Sequence, residues 1–277
     1  MTPTESNHVM PAMDTPIHDP DRTAASRRGG FDDGRRGATG RAHPLSPAQH
    51  VLWLAQQEDP TTSAYNLLFA ARVRSTVDAD RLEGSLQKLV ERHPALRTTF
   101  HEEGGAPVQR IHSVQEIRLT CVDARLWSDD QLGQIVRLTS RQAADLADSV
   151  FRATLFSRGE EDHVLLLMAH EIAVDAWGLG LLLRELRDLY AGDRLPPAPA
   201  DTPLDYAADL AARIDGPEGK EMEEFWTARL AGARGALPLP YDRPASTVPH
   251  RAGSSVAFDL EPERTERIRR LARDAGT

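Results

Sequence analysis

The chain has 277 residues and a formal net charge of −9, from 42 acidic and 33 basic side chains. Nucleic acids and anionic membranes bind basic surfaces, so this charge argues against either as the main partner. The single cysteine, Cys121, excludes an internal disulfide, and no apolar stretch reaches the length of a membrane span. Because the N-terminus also lacks the hydrophobic segment of a secretory signal, the sequence predicts a soluble cytoplasmic protein.

The N-terminal segment differs from the rest of the chain. Residues 1–41 are rich in Pro, Gly, Ser, Asp and Arg and show no apolar periodicity. Such a composition buries too little apolar surface to offset the entropy of ordering, so we predict a disordered tail.

Helices and strands are predicted from Leu45 onward. Ser46 caps a first helix, since proline at the next position is tolerated in the first turn. A strand is predicted over 66–74, followed by a helix that begins at Asp78 and ends at Pro94. The pattern then predicts a hairpin over 95–101 and 108–112. A strand follows over 117–122, in which Cys121 is a small apolar residue. A helix is predicted over 128–146, and its apolar side contains Leu132, Ile135, Val136 and Leu138.

The central feature is an apolar run, 164–169, which has strand length and no charge. We interpret it as a strand that is buried on both faces and pairs as a hairpin with 151–156. Directly after it come three ionisable side chains within six positions. A helical pattern follows, with Leu179, Leu182, Leu183, Leu186 and Tyr190 on one face. Strand, polar loop and helix together predict reactive side chains at the edge of a sheet.

The remaining segments predict where the domain ends. Two helices, 204–214 and 218–230, lead into a proline-rich passage, and one strand and one helix follow at 254–260 and 261–275. We therefore predict a first lobe over 45–235, a linker over 236–253 and the start of a second lobe over 254–277. The first lobe is expected to be an α/β sandwich, a mixed β-sheet packed by helices.

The polar loop after the central strand contains His170, Glu171 and Asp175. His170 alone fits either a buried histidine satisfied by backbone or a member of a reactive site, and the pattern leaves both open. A metalloprotease zinc site needs a second histidine four positions on, where the chain has Val174, so no metal is predicted. No activated serine turn is present, and Cys121 has no nearby partner in sequence. The roles that remain for this loop are general acid–base catalysis, or placing a charge beside two bound reactants.

Several ordered segments match one family pattern. Residues 46–53 fit Ser-x-Ala-Gln-x-x-x-Trp, and residues 92–100 fit Arg-His-Glu-x-Leu-Arg-Thr-x-Phe with Pro94 in place of Glu. Residues 170–176 read His-Glu-Ile-Ala-Val-Asp-Ala, against the pattern His-His-x-x-x-Asp-Gly. The chain from Leu45 onward therefore resembles the condensation domain of nonribosomal peptide synthetases, a branch of the two-layer, chloramphenicol acetyltransferase-like fold. Later segments fit as well: Leu204–Ala207, Phe225–Trp226 and Leu239–Pro244.

The resemblance implies a function for the complete protein. Two lobes form a V, and a donor acyl or peptidyl thioester and an acceptor amine reach the junction on the phosphopantetheine arms of carrier proteins. An amide bond then forms, and the chain itself binds no cofactor. The second residue of the motif, here Glu171, helps the amine to attack, beside His170. Asp175 is implied to be structural, in an ion pair with Arg92 or Arg97.

Three departures from the family pattern bear on this function. Glu171 replaces a histidine; the usual pKa of histidine, about 6.5, suits a base at neutral pH, whereas that of glutamate is about 4.3. Ala176 replaces a glycine, which costs roughly 1 kcal/mol if the position needs a positive φ. The chain also ends at Thr277, where the second lobe begins, so a further segment or a second chain is expected to supply that lobe. A rival interpretation is an X-type platform, which binds carrier proteins or recruits a tailoring enzyme without catalysis.

Overall fold

The structure is a computed structural model of the chain, and it describes residues 40–233, 235, 240 and 258–277. Nearly all of the predicted tail 1–41 and of the predicted linker 236–253 lie outside the described residues. The helices are α1 Pro47–Glu58, α2 Ala79–Arg92, α3 Asp129–Ser140, α4 Ala176–Ala191, α5 Pro203–Asp215, α6 Pro217–Leu230 and α7 Pro262–Asp274. The strands are β1 His43–Pro44, β2 Asn66–Val73, β3 Thr98–Glu103, β4 Ala106–Ile111, β5 Leu119–Asp123, β6 Phe151–Gly159 and β7 Asp162–His170.

A four-stranded mixed sheet holds the strand that precedes the polar loop. Its order is β2-β7-β6-β5, so β7 lies inside the sheet. β7 runs antiparallel to both neighbours, and Asn66 of β2 lies opposite His170. β5 runs parallel to β6 and forms one edge of the sheet. The predicted hairpin between β6 and β7 is confirmed.

The side chains of β7 alternate between two apolar clusters, one on each face of the sheet. Leu165, Leu167 and Ala169 pack with residues of α2 and α4. Leu166 and Met168 pack with residues of α3. Burial on both faces explains why the run carries no charge. The predicted α/β class is confirmed, and α3 adds a helix on the second face.

A third apolar cluster joins α1 and a smaller sheet to the polar loop. The smaller sheet has the order β1-β4-β3. Trp53 of α1 and Phe100 of β3 are buried together with Ile172, which belongs to the loop after β7. α1 begins as predicted, since the Ser46 side chain accepts the amide of Gln49 in a capping box. The loop is therefore anchored from the side that the large sheet does not cover.

The predicted end of α3 and the predicted start of β3 are wrong, and tertiary packing explains the first. α3 ends at Ser140 rather than at residue 146, and Leu138 is exposed. Leu146 leaves the helical path to pack against Phe100, whose amide donates to the Leu146 carbonyl at 2.9 Å. β3 begins at Thr98 rather than at residue 95, because Pro94–Arg97 form a 3₁₀ turn after α2.

The turn between β3 and β4 shows why the sequence has two glycines there. Gly104 and Gly105 adopt φ values of 60° and 81°. This left-handed region is costly for side chains with a Cβ, so glycine at both positions closes the predicted hairpin. On the edge strand β5, Cys121 lies as predicted in a strand, but its side chain is exposed.

The C-terminal elements are less packed than the sheet. α6 and α7 contain no buried residue. Residues 258–260 are not in a strand, and 254–257, the rest of the predicted strand, lie outside the described residues. Within the described ranges, no helix has both the length and the apolar character required to cross a membrane.

Candidate active site

His170 is the last residue of β7, and its side chain is only 2% exposed. Its Nδ1 accepts the backbone N–H of Ile172 at 3.1 Å, so the proton of the neutral ring lies on Nε2. Nε2 is buried and has no hydrogen-bond partner in the described part of the chain. Burial lowers the pKa of His170 to about 4, because desolvation disfavours the charged ring. His170 is therefore a neutral, buried side chain that shapes the loop.

Glu171 follows His170 but points its side chain to the surface, where it is exposed. Its backbone N–H donates to the Tyr65 carbonyl at 2.9 Å. The His170 carbonyl accepts the amides of Ala173 and Val174, which closes a tight turn. Ile172, the next residue, is buried in the third apolar cluster. Of the predicted catalytic residues His170 and Glu171, only Glu171 is therefore exposed.

Asp175 caps the helix that follows the loop. Its Oδ1 accepts the Gly178 amide at 2.6 Å, which satisfies one of the free donors at the start of α4. Ala176 is the first residue of α4 and therefore has helical backbone angles. That position does not require glycine. Ala176 therefore avoids the cost that a side chain would have at a positive φ.

The two arginines proposed as partners of Asp175 have other partners in the structure. Arg92 donates from Nε to Glu185 Oε2 at 3.1 Å and from Nη1 to the Pro196 carbonyl at 2.7 Å. Arg97 donates to the His112 carbonyl. The expected ion pair is thus replaced by a helix cap at Asp175 and by a buried arginine–glutamate pair, because Glu185 of α4 lies beside the end of α2.

Gln49 connects α1 to the loop. Its amide Nε2 donates to the Ile172 carbonyl at 3.4 Å and to Gln109 Oε1 at 3.2 Å. Gln109, on β4, is buried and donates in return to Gln49 Oε1 at 3.1 Å. In the sequence, Gln49 is the glutamine of the matched segment 46–53; in the structure it supports the backbone of the loop.

A groove of about 420 Å³ opens beside the loop. It is walled by the start of α1, the residues after α2, the loop itself and the start of α5. Glu171 and Asp175 line it, whereas His170 does not. His93 and Tyr206 also line it, from the end of α2 and from α5. The residues that line the groove therefore include two with carboxylates and one with an imidazole.

Sequence reasoning missed the pair that His93 forms with Glu185. The two side chains meet at 2.6 Å, from His93 Nε2 to Glu185 Oε2. Glu185 is buried and lies on the same side of α4 as Leu182 and Leu186. A carboxylate on the apolar face of a predicted helix was the available signal, since such a group needs a charged partner. No group of three or more potential metal ligands is found among the described residues.

Relatives of known sequence are large proteins of which this chain spans a small part. A family model described as the condensation domain matches residues 40–277. One of the linear gramicidin synthase proteins of Brevibacillus parabrevis is 36% identical over 247 residues, covering 84% of this chain and 3% of that protein. The isonitrile lipopeptide synthase of Mycobacterium tuberculosis is 32% identical over 245 residues, covering 84% of this chain and 10% of that protein.

Solved structures agree with the family match. An X-domain solved in complex with OxyB from teicoplanin biosynthesis has a TM-score of 0.73 and 29% identity, covering 92% of this chain and 57% of that one. The first condensation domain of the calcium-dependent antibiotic synthetase has a TM-score of 0.67 and 22% identity, covering 86% and 58%. These neighbours confirm the predicted chloramphenicol acetyltransferase-like fold. Since the family model matches well over half of its residues, this chain belongs to the condensation-domain family of nonribosomal peptide synthetases.

Proposed function

We propose that this chain is the first lobe of a condensation domain that joins a carrier-bound acyl or peptidyl thioester to an amine. The donor and the acceptor arrive on the phosphopantetheine arms of two carrier proteins, and the chain itself holds no cofactor. Family membership and the identity to the linear gramicidin synthase protein support this reaction class. The proposal includes the cytoplasmic location predicted from the sequence.

The exposed carboxylate of Glu171 is the observation that carries this proposal. It lies directly after the central strand and lines the groove, while the neighbouring imidazole of His170 is buried and neutral. Of the two predicted catalytic residues, Glu171 is therefore the one that a bound reactant can reach. His170 fixes the loop backbone through its bond to the Ile172 amide.

Glu171 acts on the amine rather than on the thioester carbonyl. A carboxylate attracts an ammonium group and orients it through charge-assisted hydrogen bonds. The same negative charge would repel the oxyanion that develops on the carbonyl, so the productive arrangement puts the amine on the Glu171 side. The role of Glu171 is therefore to hold the acceptor for attack.

A second lobe is the further partner in this proposal. The chain spans 57% and 58% of the two solved neighbours described above. α5 and α6 expose large apolar side chains, and Trp226 is 56% exposed although it is a residue type that stabilises interfaces. Met222, Phe225 and Trp226 share one face of α6 by their helical spacing, and an exposed apolar face is typical of a surface that another unit covers. We assign that face to the second lobe, from the same protein or from a second chain. Its exposed members include Tyr206, Met222, Phe225, Trp226 and Leu230.

A binding platform without catalysis is the second candidate function. The X-domain neighbour, which was solved in complex with OxyB, has 29% identity to this chain over 92% of its length. The groove also lacks an imidazole at the second motif position, where Glu171 stands. As a platform, the chain would hold a carrier protein or a tailoring enzyme and form no bond.

Substitution of Glu171 tests the proposed role. The chain, completed by the second lobe, is mixed with a loaded donor carrier and a loaded acceptor carrier, and the amide product is quantified. We expect Glu171→Gln to lower the rate by about 10²-fold, because the amide loses the charge and cannot accept a proton. Glu160→Gln, an exposed glutamate in the β6–β7 turn, is the matched control and should leave the rate unchanged.

Two outcomes would contradict parts of this proposal. An unchanged rate for Glu171→Gln, together with a higher rate for Glu171→His, would show that Glu171 has no role as base or amine holder. If neither the parent nor any variant forms product while carrier protein still binds, the platform function replaces the amide-forming one.

A further inference from the structure

His93 and Glu185 form a carboxylate–imidazole pair that the proposed function does not use. Glu185 lies on α4 with an 11% exposed side chain, and His93 follows α2 with a 15% exposed side chain. Their contact of 2.6 Å is short for a bond between nitrogen and oxygen, as expected when one partner is charged. His93 also lines the groove that contains Glu171.

The neighbours of Glu185 determine which ring nitrogen of His93 carries a proton. Arg92 donates to the same oxygen, Oε2, at 3.1 Å, so this carboxylate is also paired with a guanidinium group. An ionised carboxylate only accepts hydrogen bonds, so His93 must donate from Nε2. In the neutral ring Nδ1 is then an acceptor, and within the described residues it makes no hydrogen bond. The main chain of His93 is held at the end of α2, since its amide donates to the Leu89 carbonyl at 3.1 Å.

We propose that His93, oriented by Glu185, accepts the proton of an amine that is bound beside Glu171. This inference rests on the proposed amide-forming function and adds a residue to it. It also resolves a difficulty of the motif, because the buried ring of His170 does not line the groove and Glu171 replaces the second histidine. His93 returns an imidazole to the groove from a different element.

The proton and electron balance of the step is complete without any further reactant. The ammonium of the acceptor gives one proton to Nδ1 of His93 and becomes a neutral amine. The nitrogen lone pair forms the C–N bond to the thioester carbon, and the C–S bond breaks with its electron pair on sulfur. The second amine proton passes to that thiolate, and the proton on His93 is released to solvent. The products are an amide, a thiol and one proton.

Three charged groups assist this transfer: Glu185 contacts the ring, Arg92 contacts Glu185, and Glu171 lines the same groove. Glu171 attracts the ammonium from the groove side. Glu185 stabilises the imidazolium that forms, as a carboxylate does for the histidine of a serine-protease triad. Arg92 holds Glu185 in place through the hydrogen bond from its Nε. Glu185 is therefore a positioning residue, whereas His93 contacts the amine.

The first experiment measures amide formation by the chain completed with the second lobe. Glutamine can keep the hydrogen bond to Glu185 but cannot take up a proton, so we expect His93→Gln to lower kcat by about 10²–10⁴-fold with a smaller change in KM for the acceptor carrier. Glu185→Gln should lower kcat and shift its pH profile. His50→Gln replaces an exposed histidine of α1 outside the groove and should leave kcat unchanged.

Chemical rescue separates a proton acceptor from a merely structural side chain. We expect added imidazole to restore part of the rate that His93→Ala loses, and to leave His50→Ala unaffected. A parent that forms amide while His93→Gln stays within twofold of it at every pH would overturn the inference and leave the proposed function intact. Failure of imidazole to restore any rate would also count against His93 as the proton acceptor.

The second experiment does not depend on catalysis. The 277-residue chain is labelled with ¹⁵N and titrated with a stable thioether analogue of glycyl-pantetheine, which carries the amine but no thioester. Before the analogue is added, we expect the ¹⁵N chemical shifts of the His93 ring to be those of the tautomer with its proton on Nε2. Adding the analogue should change the Nδ1 chemical shift, and this change should be smaller in Glu171→Gln. Unchanged His93 signals at saturating analogue would overturn the inference. If the completed domain forms no amide, the proposed function fails, and this titration still decides whether His93 meets an amine.

Discussion

At the scale of single residues, His170 and Glu171 show how one strand end separates two adjacent side chains. The sequence treats them as a pair, because they share a motif and a loop. In the structure the His170 ring is 2% exposed and bonded to the Ile172 amide, whereas Glu171 is exposed in the groove. Backbone direction at the end of β7 decides this difference, and residue types alone do not reveal it.

The lowered pKa of His170 predicts how stability changes with pH. The pKa is about 4 in the folded chain, against 6.5 for an unperturbed histidine, so the unfolded chain binds more protons between these values. We expect the free energy of unfolding to be undiminished above pH 6.5 and to fall toward pH 4, by up to about 1.4 kcal/mol per pH unit from this group. Urea unfolding at pH 7, 6 and 5 measures this loss.

Two variants isolate the contribution of His170 to that pH dependence. Asparagine at this position can still accept the Ile172 amide but does not titrate, so His170→Asn should have a flatter profile than the parent. His50→Asn changes an exposed histidine and should keep the parent profile. Equal slopes for the parent and His170→Asn would show that His170 is not the titrating group.

At the scale of secondary-structure elements, the loop after β7 is held by a helix cap instead of the ion pair that the family resemblance implied. Asp175 accepts the Gly178 amide at the start of α4, and Arg92 bonds to Glu185 further along the same helix. Both interactions fix α4, but they share no atom. Removing a capping side chain costs about 1 kcal/mol, typically 0.5–2.

A double-mutant cycle tests this difference between a cap and an ion pair. Because Asp175 and Arg92 do not contact each other, we expect the losses from Asp175→Ala and Arg92→Ala to add within about 0.5 kcal/mol. Asp175→Asn should recover most of the cap, since an asparagine oxygen also accepts the amide. The free energies come from denaturant unfolding of the parent, the two single alanine variants, the double variant and Asp175→Asn. A coupling energy clearly above about 0.5 kcal/mol would show that Asp175 and Arg92 interact, as the family resemblance implied.

At the scale of the whole molecule, the sequence predicts the elements better than their side-chain contacts. The strand β7, its hairpin with β6 and the helix caps at Ser46 and Asp78 follow from local patterns, and all are present. The predicted end of α3 is wrong, because Leu146 packs against Phe100 from a distant segment instead of continuing the helix. The bond between His93 and Glu185 also joins residues far apart in the chain, so local periodicity gives only an indirect sign of it.

The exposed face of α5 and α6 leads to a prediction about assembly. Trp226 is 56% exposed and α6 has no buried residue, so the isolated chain gains little stability from this side chain. We expect Trp226→Glu to change the free energy of unfolding of the chain by no more than about 0.5 kcal/mol, as is usual for exposed positions. The same substitution should weaken binding to a separately produced second lobe at least about tenfold, because buried aromatic residues dominate interfaces.

Calorimetry with the two lobes measures this binding, and Thr227→Glu is the matched control. It adds the same single negative charge at an exposed, neutral position of α6, so it reports the effect of charge without loss of the indole. If both variants weaken binding equally, the added negative charge accounts for the effect, rather than the loss of apolar surface. If Trp226→Glu clearly lowers the free energy of unfolding of the isolated chain but leaves binding intact, the indole supports the first lobe itself. The α5–α6 face would then have no part in joining the two halves.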